Sequence, residues 1–241
     1  MEQNTENLTI DVFFRGLAGR IQGKYYVNKN TTNPAVLILP PDPRYGGNLD
    51  NKICEEIANV FIKCGFTTLR INYRGIDKSE GTFTCKEDAL YDTSVALDWL
   101  QEQNPEASHF WIAGYSFGAY IAGNIMTRRP EIETFVLASP LVSKYNFSFL
   151  AHCLASGLVI TGEKDEFSHT EDVVELVSKM NEGSLMFTTL SIIPEANHLY
   201  TNQIERFKSE LEMYINTTLA TRVAKPVRKK RRRRKKKDSI F

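Results

Sequence analysis

The chain has 241 residues, 42% hydrophobic and 24% charged, with a formal net charge of +1. That length suits one α/β domain with a sizeable core and leaves too little for a second full domain. No apolar run reaches the roughly 18 residues that span a bilayer. The polar start, residues 1–9, lacks a signal-peptide core, and Cys54, Cys64, Cys85 and Cys153 show no metal-ligand spacing. The expectation is a cytoplasmic protein with free thiols, no metal and no other cofactor.

The near-neutral total conceals a division. From Arg222 onward there are 12 Lys/Arg and one Asp, whereas the first 221 residues hold 18 basic and 28 acidic side chains. Composition therefore predicts an acidic globule over 8–219 followed by a disordered polybasic tail over 220–241.

In chain order, Leu8, Ile10, Val12 and Phe14 share one phase of a loose alternation, and Gly16 and Gly19 separate it from 21–27. This reads as an antiparallel hairpin at a sheet edge. Residues 35–39 (Ala-Val-Leu-Ile-Leu) form a wholly apolar strand of the kind buried on both faces of a parallel sheet. A helix beginning near Asn48 or Asp50 carries Ile53, Ile57, Phe61 and Cys64 on one face, and Gly65 ends it. A strand over 66–71 and a helix over 86–103 follow, and Pro105 closes that helix.

Further strands are predicted at 134–138, 157–161 and 185–193. A helix opens at Ser168 with a capping-box pattern (Ser168, Glu171), and the last helix has Ile204, Phe207, Leu211 and Ile215 on one face. Residues 139–156 leave no room for an inserted cap. Alternating strands and helices imply a doubly wound, mostly parallel sheet.

Within this frame, 109–120 passes from an apolar strand through Gly114-Tyr115-Ser116-Phe117-Gly118 into a helical pattern. A strand, Gly-x-Ser-x-Gly and a helix in succession describe a nucleophile elbow, a strained turn that lifts one serine hydroxyl above the sheet. Sites in such sheets gather at the carboxyl ends of strands. The acid is then sought after the 157–161 strand, where Asp165 is the favoured carboxylate and Glu163 and Glu166 are its rivals. The histidine is sought after the last strand, where His198 stands; His109, His152 and His169 fit the position poorly. The order Ser…Asp…His is that of an α/β hydrolase.

Ser116 would then attack a carbonyl with His198 as general base, Asp165 holding the imidazole, and an acyl-enzyme would be released to water. One oxyanion donor would be the backbone N–H of Phe117, and the second would come from the loop after the 35–39 strand. Pro40, Pro41 and Pro43 have no N–H, which leaves Asp42 as the donor among residues 40–43. Its carboxylate raises two expectations. Either it turns away, toward Arg44, or it repels the oxyanion by about 3 kcal/mol at about 6 Å and slows the reaction about a hundredfold.

With these residues placed, the chain resembles a family of small bacterial α/β hydrolases related to dienelactone hydrolases and to the serine aminopeptidase and acyl-peptidase group. The resemblance covers about residues 8–217. It rests on Tyr45-Gly46-Gly47-Asn48-Leu49-Asp50-Asn51, Asn72-Tyr73-Arg74-Gly75, Ser79-Glu80-Gly81, Gly114-Tyr115-Ser116-Phe117-Gly118-Ala119, Tyr145-Asn146-Phe147-Ser148-Phe149-Leu150, Gly162 with Asp165, and Ala196-Asn197-His198. It implies the α/β-hydrolase fold without a cap, and a catalytic Ser, Asp and His falling on Ser116, Asp165 and His198. Two departures stand out: Pro40-Pro41-Asp42-Pro43 replaces the usual His-Pro-His-Pro, and Glu195 stands where Gly is usual.

The expected activity is serine hydrolysis of a small ester, thioester or activated amide, a small-molecule acyl substrate. The alternative is a hydrolase-fold binding protein of weak or no activity whose tail does the work. Residues 228–237 are ten consecutive Lys/Arg with no aromatic among them, a candidate binder of nucleic acid or anionic lipid by charge alone. Oligomeric state is not legible.

Overall fold

The computed structural model describes residues 9–182 and 184–223. One eight-stranded sheet runs through it in the order β1-β2-β4-β3-β5-β6-β7-β8. The strands are β1 (Thr9–Gly16), β2 (Gly19–Tyr26), β3 (Ala35–Leu39), β4 (Thr67–Ile71), β5 (Phe110–Tyr115), β6 (Ile132–Ala138), β7 (Ser156–Gly162) and β8 (Thr188–Ile193). The opening hairpin β1–β2 joins β4 antiparallel, and every pairing from β4 to β8 is parallel. Among the described residues, no helix is long and apolar enough to cross a membrane.

Five helices cover the sheet: α1 (Lys52–Lys63), α2 (Lys86–Gln103), α3 (Phe117–Met126), α4 (Thr170–Asn181) and α5 (Ile204–Val223). The strand alternation sorts them into two layers. In β3, Ala35, Leu37 and Leu39 join the core under α2, α3 and α4, while Val36 and Ile38 join the core under α1 and α5. All ten residues of α3 are buried, which accounts for its nearly unbroken apolar sequence. The connection from β6 to β7 contains only a short 3-10 turn, Ser148–His152, so no cap stands over the sheet. This is the α/β-hydrolase fold.

The sheet order reverses between β3 and β5, because the chain leaves β3 for β4 on one side and returns to β5 on the other. Loops from adjacent strand ends diverge there and leave a crevice. The Pro40–Pro43 loop and the Ser116 turn bound that crevice.

Four local readings change. Helix α1 is capped by Asn51, whose Oδ1 accepts from the N–H groups of Ile53 and Cys54; Asn48 instead caps the preceding turn at Asp50. The Ser168–Glu171 capping box does not form. Ser168 donates its hydroxyl to the Pro140 carbonyl, and α4 starts at Thr170. Strand β8 begins at Thr188 rather than 185, where the Asn181 side chain bonds both the N–H and the C=O of Thr188. Finally, α5 continues through Val223, past the boundary expected at 219. Leu219 packs against the core beneath it, and that burial carries the helix onward. The basic run 228–237 lies outside the described residues.

Candidate active site

Ser116 follows β5 directly and precedes α3, with φ 58° and ψ −115°. A serine at positive φ costs about 1–3 kcal/mol and persists only where its surroundings enforce it. Backbone packing supplies that enforcement. A Cβ on Gly114 would lie 2.1 Å from the Gly118 carbonyl oxygen, and one on Gly118 would lie 2.3 Å from the Leu39 oxygen. Any side chain at either place would push α3 away from β3 and β5. The Ser116 N–H also donates to Ala138 of β6 at 2.9 Å.

The loops after β7 and β8 meet by the same device. A Cβ on Gly162 would lie 2.3 Å from the Ala196 carbonyl oxygen, so glycine lets the two loops touch. Asp165 and His198 project from them toward Ser116. His198 Nδ1 lies 2.9 Å from both oxygens of Asp165, and its Nε2 lies 3.1 Å from Ser116 Oγ. Asp165 Oδ1 also accepts from the N–H groups of Phe167 and Ser168, which fixes the carboxylate plane. Asp165, His198 and Ser116 are all buried.

The rival carboxylates face other groups: Glu163 accepts the Glu195 N–H, and Glu166 accepts the His198 backbone N–H. His109 pairs with Glu133 and lies at the opposite end of β5. His169 caps α4.

Three supporting contacts carry no linear signal. Tyr115, inside the Gly-Tyr-Ser-Phe-Gly run, donates its hydroxyl to the His198 carbonyl at 3.0 Å. The imidazole packs against the Tyr115 ring at 5.3 Å and the Phe167 ring at 5.0 Å. Glu166 supplies the third contact, holding the His198 N–H.

Across the crevice, the Asp42 carbonyl accepts from Tyr45 and Gly47, and its side chain begins the short 3-10 turn Pro43–Tyr45. Arg44 takes the carboxylate in a fork, Nε to Oδ1 at 3.0 Å and Nη2 to Oδ2 at 2.7 Å, while the Arg44 N–H bonds Oδ1. The carboxylate is thus turned aside and charge-paired. Burial works against its ionisation, but hydrogen bonds and charge from Arg44, with Lys144 nearby, hold its pKa below the ordinary carboxylate range. Among the described residues, the N–H groups of Asp42 and Phe117 have no protein acceptor.

Ser116 and His198 open into a cleft of about 430 Å³. Its walls are largely apolar, with Pro41, Tyr115, Leu141, Phe167 and Leu199; Asp42 and Lys144 also line it. Among the described residues no cluster of three or more His, Cys, Asp or Glu is arranged to hold a metal ion.

A lidless, doubly wound sheet with a serine at a strand-to-helix elbow defines a serine hydrolase of the α/β class. The chain belongs to the X-Pro dipeptidyl-peptidase family (S15 family), whose profile matches residues 19–231. It is 38% identical over 210 residues to an uncharacterised protein of Rickettsia prowazekii, covering 86% of this chain and 88% of that one. It is similar to an Agrobacterium tumefaciens protein of unknown function assigned to the α/β hydrolases, with 39% identity and a TM-score of 0.85 over 90% of this chain and all of the other. A Xanthomonas campestris α/β serine hydrolase without a lid shares the fold at 20% identity, with a TM-score of 0.78 over 87% of this chain and 94% of its own.

Proposed function

We propose that the protein hydrolyses small carboxylic esters, thioesters or activated amides through an acyl-enzyme on Ser116. The observation that carries this reading is the unbroken line Ser116 Oγ–His198–Asp165 at a strained elbow facing an apolar cleft. His198 Nε2 takes the serine proton as Oγ attacks the carbonyl, and later returns a proton to the leaving group. Asp165 keeps the Nδ1 proton in place and stabilises the imidazolium. The N–H groups of Phe117 and Asp42 are assigned to the oxyanion, in keeping with their lack of other acceptors.

Two features favour an ester over the Xaa-Pro peptide that the family's description names. A dipeptidyl peptidase must hold a free α-ammonium, which calls for an unpaired carboxylate near the nucleophile. Asp42 is the carboxylate among the lining residues, and Arg44 already occupies it. The cleft walls are largely apolar, matching an acyl chain. The Arg44 pair also weighs against the alternative of a scaffold that lost its rate through Asp42.

The test is kinetic. Short-chain nitrophenyl esters are expected to turn over with wild-type protein and to fall at least about a thousandfold with Ser116→Ala. An Xaa-Pro nitroanilide is expected to be a far poorer substrate. Faster cleavage of the nitroanilide than of every ester would reverse the assignment of substrate class.

A further inference from the structure

The charges around the cleft are unequally matched, and that inequality bears on which small ester fits. Lys144 lines the cleft from the loop after β6. Its ammonium lies 4.7 Å from the Tyr45 ring centroid and 5.7 Å from that of Tyr145. Tyr145 is itself fixed, stacked on the buried Tyr120 at 4.6 Å with its hydroxyl 3.5 Å from Asp42 Oδ2. Two aromatic faces thus hold the ammonium over the opening and confine a side chain that would otherwise sweep through solvent.

Among the described residues no carboxylate lies within 4.0 Å of this ammonium. Asp42, whose charge Lys144 feels, is already held by the Arg44 fork, and Arg44 keeps about half of its side chain exposed. On the histidine side, Glu166 faces the His198 backbone and Asp165 faces its ring. The largely apolar cleft is therefore lined by one lysine that makes no salt bridge among the described residues, and the partner of the lining Asp42 is a half-exposed guanidinium.

The geometry points to Lys144 as a specificity-determining residue that selects esters bearing a carboxylate at the end remote from the scissile bond, such as hemiesters of short dicarboxylic acids. The apolar walls take the methylene spacer, and the anionic end reaches Lys144 with the open edge of Arg44 beside it. The inference deepens the ester-hydrolase reading and rests on it for turnover, though not for binding.

The experiment has two arms, both with the full chain. In the first, kcat/KM is measured at low salt for nitrophenyl butyrate and for the mono-nitrophenyl esters of succinate, glutarate and adipate. Wild type is expected to favour at least one hemiester over the butyrate by about tenfold. Lys144→Met should bring that ratio near one, Lys144→Glu should invert it, and salt should erode it. In the second arm, monobenzyl glutarate and its neutral methyl ester are titrated calorimetrically into Ser116→Ala and into Ser116→Ala/Lys144→Met. The charged ligand is expected to bind about tenfold tighter to the first and equally to the second. Because the basic tail is common to both proteins, attraction to the tail cannot produce that difference. A wild-type ratio of one or below, a ratio untouched by Lys144→Met, or equal binding of the two ligands by Ser116→Ala overturns the inference. Failure of every ester with the binding difference intact would overturn the hydrolase reading instead.

Discussion

The wall of the cleft that carries Ser116 and His198 is fixed by backbone packed against backbone, whereas the facing wall is held by side chains. On the first, Gly114, Gly118 and Gly162 bring main chains so close that a single added carbon would collide with a carbonyl. On the second, Asp42 is kept in place by the Arg44 fork, and Lys144 rests on Tyr45 and Tyr145. The first arrangement permits almost no change at its glycines. The second is adjustable one side chain at a time, which suits a wall that sets substrate choice.

Changes to the first wall should have the largest effects. Asp165→Asn leaves the shape intact but removes the charge that holds the imidazole; ester kcat is expected to fall about ten-thousandfold with an unchanged melting temperature. Across the cleft, Arg44→Ala leaves the Asp42 carboxylate unpaired beside the reaction centre. Turnover of a neutral ester should fall about a hundredfold, and Asp42→Asn in the same chain should restore most of it. If the double variant is as slow as Arg44→Ala alone, Asp42 is not the source of the loss.

Smaller effects separate the walls further. Tyr115→Phe removes a buried hydrogen bond to the His198 carbonyl, worth about 1–3 kcal/mol, and should slow hydrolysis about tenfold with KM little changed. The Asp42–Arg44 pair has a signature in pH. The folded-state pKa of Asp42 is depressed, so its stabilising contribution is present above the unfolded carboxylate value near 4 and is lost as pH falls through the lower folded value. The stability difference between wild type and Asp42→Asn, followed by denaturant titration, should therefore be level from pH 7 to 5 and shrink only below about pH 4. Last, Glu195 sits at φ 61°. Glu195→Gly should raise stability by about 1 kcal/mol, because glycine adopts that conformation without strain.

How much of this was legible in the sequence follows the same division. The elbow, Asp165 and His198 were readable because each sits at the end of an apolar strand, and the fold turns that position into proximity. The helix expected from about 86 to 103 was readable, since it is long and closed by a proline. Legibility failed where side chains chose among nearby backbone partners: Ser168 bonds Pro140 instead of capping α4, and Asn51 rather than Asn48 or Asp50 starts α1. The Asp42–Arg44 pair was foreseeable as one of two arrangements, because a two-residue offset allows the fork without requiring it. The contacts of Tyr115 with His198 and of Lys144 with Tyr45 join segments 83 and 99 residues apart in the chain, and no local pattern announces them.

The account turns on whether Ser116 is an activated nucleophile, and a fluorophosphonate probe asks that directly. At neutral pH the full-length protein is expected to take up one probe, located by peptide mass spectrometry on Ser116, with the reaction abolished in Ser116→Ala and strongly slowed in His198→Ala. Absence of labelling under conditions that saturate a control serine esterase, or labelling that survives Ser116→Ala, would contradict it.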